Sequence, residues 1–167
     1  IPSGARIAVQ FQCSTASKAT TMGMHLYGGG FGIEGGCLAT TYGATTASSI
    51  GTVLTAPSLT NTESAWTQIA ASITAPMRWM VVGLSAPNTT TATAADHLID
   101  IGVGAAAAEA AVVSDIVYSA SANEEINCSY PNLFPVNIPA GSRLSARYQG
   151  TSTSSFAQPN LTLTGIC

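Results

Sequence analysis

Charged residues are scarce in this sequence: Asp, Glu, Lys and Arg make up 8 % of its 167 residues, against about a quarter in a typical soluble domain. The five basic residues are scattered, so no basic stripe is available to neutralise several phosphates of a nucleic acid. No run approaches the roughly 18 to 20 apolar residues that cross a bilayer. The sequence therefore argues against a nucleic-acid partner and excludes a membrane-spanning helix.

Motifs for metal binding and catalysis are missing as well. There is no CxxC pair, no G-x-S-x-G elbow and no GK[ST] phosphate loop. Asp96, His97 and Asp100 form the densest polar cluster, but on a strand His97 and Asp100 would point to opposite faces. Glu124 and Glu125 are adjacent in a polar loop, where paired carboxylates seldom face one cleft. We expect no enzymatic activity, no catalytic residues, no cofactor and no metal.

Cysteines and glycosylation triplets are the modification sites that the sequence offers. Four cysteines allow three disulfide pairings, and buried free thiols are the alternative; disulfides would imply an extracellular protein. These cysteines are Cys13, Cys37, Cys128 and Cys167. The N-x-[ST] triplets, acceptors only in a protein secreted by a glycosylating cell, begin at Asn88, Asn127 and Asn160.

Small neutral residues, mainly Ala, Thr, Ser and Gly, take the place of the missing charges. Such a surface has little charge repulsion to keep molecules apart and is readily buried against a neighbour. Two interpretations follow: a stable, hydroxyl-rich secreted domain, or a subunit whose surface is used for assembly contacts.

A segment near the start of the chain is repeated near its end. "IPSGARIAVQFQ" from Ile1 matches "IPAGSRLSARYQ" from Ile138. In the first copy Ile7, Val9 and Phe11 alternate with polar or small residues, as in a half-buried β-strand. The second copy has the same phase, with Leu144, Ala146 and Tyr148 on one face.

The likeness between the copies continues beyond the strand. Residues 1–30 and 138–167 align without a gap and are identical at eight of thirty positions. We therefore divide the chain into an N-terminal strand arm (1–30), a Gly-rich linker or extended arm (31–50) and a sandwich (51–167). Two pseudo-symmetric strand pairs within one sandwich are the alternative. The start at Ile1 rather than at Met indicates a processed start or a piece of a longer chain.

Further alternating runs predict an all-β domain. "SAWTQIAAS", "MRWMVVGLS", "HLIDIGVG" and "EAAVVSDIVYS" read as strands, the last despite its alanines because Val, Ile and Tyr favour strands. "LFPVNIP" suits a sheet edge because of its prolines. The aromatic residues are spread over these runs, which favours core packing over a sugar platform. They are Trp66, Trp79, Tyr27, Tyr42, Tyr118, Tyr130 and Tyr148. His25 is expected to be structural.

Three segments carry a resemblance to a known family. "HLIDIGVGAAAAEAAVVSDIVYS", "LFPVNIPAGSRLSARYQ" and "SAWTQIAASITAPMRWMVVG" resemble the jelly-roll modules of tailed-phage virion proteins, which occur in decoration, head-fibre and tail-associated proteins. The resemblance covers Gly51 to Gly165, and Ile1 to Gly28 matches the end of a preceding module. Where the family often has Gly, "GAAAAE" has Ala. The resemblance implies a β-sandwich with a structural or attachment role and carries over no catalytic residues.

The sequence thus predicts an antiparallel, jelly-roll-like β-sandwich with an extended N-terminal arm, located outside cells or in a virion. We expect a structural subunit that assembles with identical subunits into a homo-oligomer or helical filament. Ile7, Val9 and Phe11 of the arm are the predicted assembly residues, through strand addition to a neighbour. The alternative is a carbohydrate-binding or host-attachment module with a cell-surface glycan as its partner.

Overall fold

The chain forms two β-sheets that pack face to face. The computed structural model describes residues 4, 6–10, 39–44, 46, 51–85, 93–120 and 133–167. Along the chain the strands are β1 (Ala39–Tyr42), β2 (Thr52–Val53), β3 (Thr67–Ala70), β4 (Met77–Ser85), β5 (Ala95–Val103), β6 (Ala110–Ala120), β7 (Leu133–Ile138), β8 (Leu144–Gly150) and β9 (Asn160–Ile166). A short 3-10 helix, Ser155–Ala157, precedes β9, and these ranges contain no α-helix.

All strand pairs are antiparallel, and the strand orders are those of a jelly roll. Sheet A has the order β1-β9-β4-β7, with β2 also pairing with β9, and sheet B has the order β3-β8-β5-β6. From β2 onwards, successive strands lie in alternate sheets except for the hairpin β5–β6. This path, which places the late strands β8 and β9 between early ones, is the double Greek key of a jelly roll. The predicted all-β, antiparallel sandwich is confirmed.

The core forms because each strand buries alternate side chains. In β8 the inward side chains are Leu144, Ala146 and Tyr148, as the sequence predicted, and all three are fully buried. From the opposite sheet, β9 contributes Leu161 and Leu163 to the same core. Burial of each such side chain contributes roughly 1.5–3 kcal/mol, so the packing of the two inner faces holds the sandwich together.

Residues with special backbone properties lie at a turn and at an edge of the sheets. Gly104 and Ala107 have positive φ angles of 138° and 65° in the turn that joins β5 to β6. The alanine-rich β6 is a strand along its whole length. Pro135 lies in β7, at the end of the strand order of sheet A, where a residue without an N–H is tolerated.

The arm and the linker are described only in part. Arg6–Gln10 belongs to no strand, and its residues are exposed. Ala39–Tyr42, within the segment 31–50, forms β1 and pairs with β9, so sheet A begins inside that segment. The remainder of 1–50, except for residues 4, 43, 44 and 46, lies outside the described residues. No helix in the described ranges is long and apolar enough to cross a membrane.

Candidate functional site

The outer face of sheet B gathers charged side chains from several strands. Alternation turns Arg147 of β8 and Arg143, which directly precedes β8, outward, because Leu144, Ala146 and Tyr148 point into the core. Asp100 of β5 is paired with Arg147 across the ladder and points outward for the same reason. His97 points inward, so the structure confirms that His97 and Asp100 occupy opposite faces.

Arg147 is the centre of an ion-pair cluster on this face. Its Nε and Nη2 donate to Oδ2 of Asp100 at 3.0 and 2.9 Å, and Nε lies 3.2 Å from Oε2 of Glu63. The side chain of Asp100 is 7 % exposed, so its carboxylate depends on these donors for compensation. The cluster fixes the segment before β3 to the middle of sheet B.

Trp66 covers this cluster. The guanidinium carbon of Arg147 lies 4.6 Å from the centroid of the Trp66 ring, within the range of a cation–π contact. The ring also rests on Gly102, where an added Cβ would come within 2.6 Å of Cζ3 of Trp66. A glycine is therefore required beneath the ring, and Arg147 occupies one face of the indole.

Carboxylates outnumber cations in the cluster. The backbone N–H of Asp115 donates to Oδ1 of Asp100 at 3.0 Å, from a residue with a positive φ of 57°. The pKa of Glu63 is raised by burial and then by the negative charges of Asp100 and Asp115, which Arg147 offsets only in part. Two carboxylates, those of Asp100 and Glu63, thus contact one guanidinium with Asp115 beside them, and this part of the face is negatively charged.

A second ion pair lies at the other end of the same face. Nη1 of Arg143 contacts Oε1 of Glu109 at 2.6 Å, and the side chain of Glu109 is 2 % exposed. Nε of Arg143 donates to Oε1 of Gln68 at 2.9 Å. Two of the chain's five basic residues are therefore bound to carboxylates of the same chain.

The outer face of sheet A is different, because the outward residues that pair between β4 and β9 carry no charge. Trp79, Val81, Gly83 and Ser85 of β4 are paired with Ile166, Thr164, Thr162 and Asn160 of β9. At its margin, the hydroxyls of Thr41 and Thr164 are hydrogen-bonded at 2.9 Å. A face of this composition is desolvated at less cost than a charged one.

His97 lies inside the sandwich rather than in a cleft. It is 2 % exposed, stacks on Tyr118 and meets the ring of Tyr148 edge-on. Its Nδ1 lies 3.3 Å from the carbonyl oxygen of Tyr118, and its Nε2 lies 2.8 Å from that of Ala157. A neutral imidazole donates a hydrogen bond from one nitrogen only. Its contact with Ala157 joins the 3-10 segment to sheet B, so His97 is a structural residue.

Burial lowers the pKa of His97 below its ordinary value of 6.5, although hydrogen bonds to Ala157 and Tyr118 oppose this shift. The unfolded chain therefore takes up a proton before the folded chain does, so stability falls as the pH drops below about 6.5. We expect the urea midpoint to decrease between pH 7.5 and pH 5.5. His97→Gln should be less stable at pH 7.5 but show a smaller decrease, since the buried imidazole of His97 is then absent. An unchanged decrease in the variant would contradict this role.

The predicted assembly residues are only partly described. Ile7 and Val9 are 44 % and 52 % exposed and do not pair with a strand in the described part of the chain, and Phe11 lies outside it. Strand addition by the arm stays a prediction.

Of the predicted modification sites, Asn160 is 2 % exposed, and its burial at the start of β9 leaves no room for a glycan. Cys167 is disulfide-bonded. The remaining candidates lie outside the described residues: Asn88, Asn127, Cys13, Cys37 and Cys128.

The other sequence candidates do not form a catalytic centre among the described residues. Asp96 accepts a hydrogen bond from Ser119 at 2.6 Å, away from Asp100. No group of three or more His, Cys, Asp or Glu in the described ranges is arranged to hold a metal ion. Tyr27, Tyr130, His25, Glu124 and Glu125 lie outside the described residues. Sequence reasoning missed the Trp66–Arg147–Asp100 cluster, whose members come from three separate segments.

Comparison with known proteins adds no assignment. No protein family matches this chain, and neither does any curated protein or solved structure.

Proposed function

We propose that this protein is a non-enzymatic structural subunit that assembles with copies of itself into a virion or an extracellular filament. The observation that carries the proposal is the distribution of charge. Arg143 and Arg147 form ion pairs with carboxylates of their own chain. On the outer face of sheet A, the residues that pair between β4 and β9 carry no charge. Little electrostatic repulsion and little desolvation cost then oppose the packing of identical neutral surfaces.

The sequence resemblance to virion jelly-roll modules supports the same function. A carbohydrate-binding or host-attachment module is the alternative. Stacking on a sugar needs a free aromatic face, and Trp66 is the half-buried aromatic residue that lies beside carboxylates. Because the guanidinium of Arg147 covers one face of this ring, the alternative has weaker support than assembly.

Light scattering and negative-stain microscopy of the full chain test the proposal. We expect oligomers or filaments that persist at about 1 M NaCl, where the Debye length of roughly 3 Å screens exposed charges. Thr164→Lys, which adds a charge to the outer face of sheet A, should lower the average mass. Ala108→Lys, the same charge in the exposed β5–β6 turn, is the matched control. A chain that stays monomeric at every concentration contradicts assembly, and binding to a glycan array would then favour the alternative.

A further inference from the structure

Strand β6 forms an edge of sheet B. It pairs with β5 on one side, and no strand of the described ranges pairs with its other side. An unpaired edge presents a row of backbone N–H and C=O groups that can accept another strand, and proteins often protect such edges with Lys or Pro. The eleven residues of β6 include neither, and Asp115 is the one charged residue.

Apolar side chains are exposed along the same strand. Val117 is 74 % exposed and Val112 is 42 % exposed. Val117 lies opposite Leu98, which is half-buried on the outer face. The C-terminal half of β6 thus combines a backbone edge that pairs with no described strand with an exposed apolar side chain, that of Val117.

The arm has the sequence pattern of a β-strand but pairs with no strand in the described part of the chain. Arg6–Gln10 alternates like β8, yet it is exposed and belongs to no strand. The corresponding part of β8 pairs with strands on both of its sides, so this pattern is compatible with a β-ladder in this fold. In the described structure the arm does not pair with the β6 of its own chain.

Charge also favours contact between the arm and β6. Asp115 is exposed on β6 beside the cluster in which Glu63 and Asp100 share one arginine. Arg6 is the one charged residue among the described residues of the arm. A cation at this edge meets an excess of carboxylates. Such charge complementarity favours the correct encounter of two copies more than it adds to their binding affinity.

We propose that Arg6–Gln10 of one copy adds as a further strand to the edge of β6 in a second copy, with Ile7 and Val9 on the same outer face as Val117. This inference rests on the proposed function, because it names one contact of the assembly in addition to the outer face of sheet A. The donor and acceptor surfaces differ, so the contact is head to tail, and a pair of copies keeps one free arm and one free edge. Repetition of such a contact gives a filament rather than a closed dimer.

Complementary variants of the full chain test this contact. Val117→Lys disables the acceptor, and the double variant Ile7→Lys/Val9→Lys disables the donor. Each variant alone should lower the average mass in light scattering several-fold relative to the unaltered chain. A one-to-one mixture should then have roughly twice the average mass of either variant, because an intact arm from one meets an intact edge from the other. Leu59→Lys, a residue 66 % exposed and outside the strands, is the control and should assemble normally.

The outcomes separate this inference from the proposed function. If the unaltered chain does not assemble, the proposed function fails and the contact fails with it. If the chain assembles but Val117→Lys assembles equally well, or if the mixture shows no gain in mass, the contact is wrong while self-assembly stands. Circular dichroism and urea unfolding check that each variant is folded. Val112→Lys replaces Val117→Lys in the same scheme if the latter is not folded.

Discussion

Replacing Arg147 by alanine should lower the free energy of unfolding by about 3 kcal/mol. The substitution removes both donors to Oδ2 of Asp100, whose side chain is 7 % exposed, and leaves a largely buried charge with the backbone N–H of Asp115 as its remaining donor. It also exposes the ring face of Trp66 that the guanidinium covers. The value lies at the lower end for a buried pair because the side chain of Arg147 is itself 29 % exposed. Urea denaturation at pH 7 measures the change.

A double variant identifies the cause of this loss. Arg147→Met with Asp100→Asn removes both charges, keeps apolar contact with Trp66 and retains an oxygen to accept the N–H of Asp115. It should recover at least half of the lost stability, since an uncharged replacement avoids the unpaired carboxylate. If the double variant is as unstable as Arg147→Ala, the unpaired carboxylate is not the cause of the loss. Arg78→Ala is the control: Arg78 is exposed and forms no ion pair with a described residue, so we expect a change within about 0.5 kcal/mol.

Tyr148 should respond in opposite directions to two substitutions. Its side chain is fully buried in the core, so Tyr148→Ala should cost about 4 kcal/mol through lost contacts and the resulting cavity. Its hydroxyl is buried without a hydrogen-bond partner among the described residues, and burial raises its pKa to about 12. Tyr148→Phe keeps the ring and removes the unsatisfied hydroxyl, so it should stabilise the fold by about 1 kcal/mol.

The repeated segment supports the phenylalanine variant, because Phe11 stands at the position of the arm that corresponds to Tyr148. Thermal and urea unfolding of both variants at pH 7 measure the two effects. A loss of about 1 kcal/mol or more in Tyr148→Phe would show that the hydroxyl is hydrogen-bonded in solution, through a bound water for example, and would contradict the prediction.

The sequence predicts the strands better than their partners. Long strands such as β5 and β8 are visible because burial with a period of two leaves alternating apolar residues. β1 and β2 are short and have no such pattern, and they become strands by pairing with β9, as in the hydrogen bond between Thr41 and Thr164. Local patterns do not encode these distant partners.

The ion-pair cluster around Arg147 also depends on distant partners, so local sequence patterns do not predict it. Alternation correctly turned Asp100 away from the core, and an outward carboxylate is ordinarily solvated. Asp100 is nevertheless 5 % exposed, because Arg147 contacts it from the neighbouring strand and Trp66 lies over that guanidinium. Its burial depends on the order of strands in sheet B, which the sequence pattern alone does not determine.

The strand order also has a consequence for how the chain folds as it is synthesised. β8 and β9 occupy interior positions in the two sheets, yet the ribosome makes them after all the other described strands. β1, β2 and β3 must therefore wait, unpaired, until the C-terminal strands emerge. Folding dominated by such non-local pairing takes milliseconds to seconds, and waiting strands are exposed to aggregation. The nascent chain should accordingly remain sensitive to proteases until Asn160–Ile166 has left the exit tunnel.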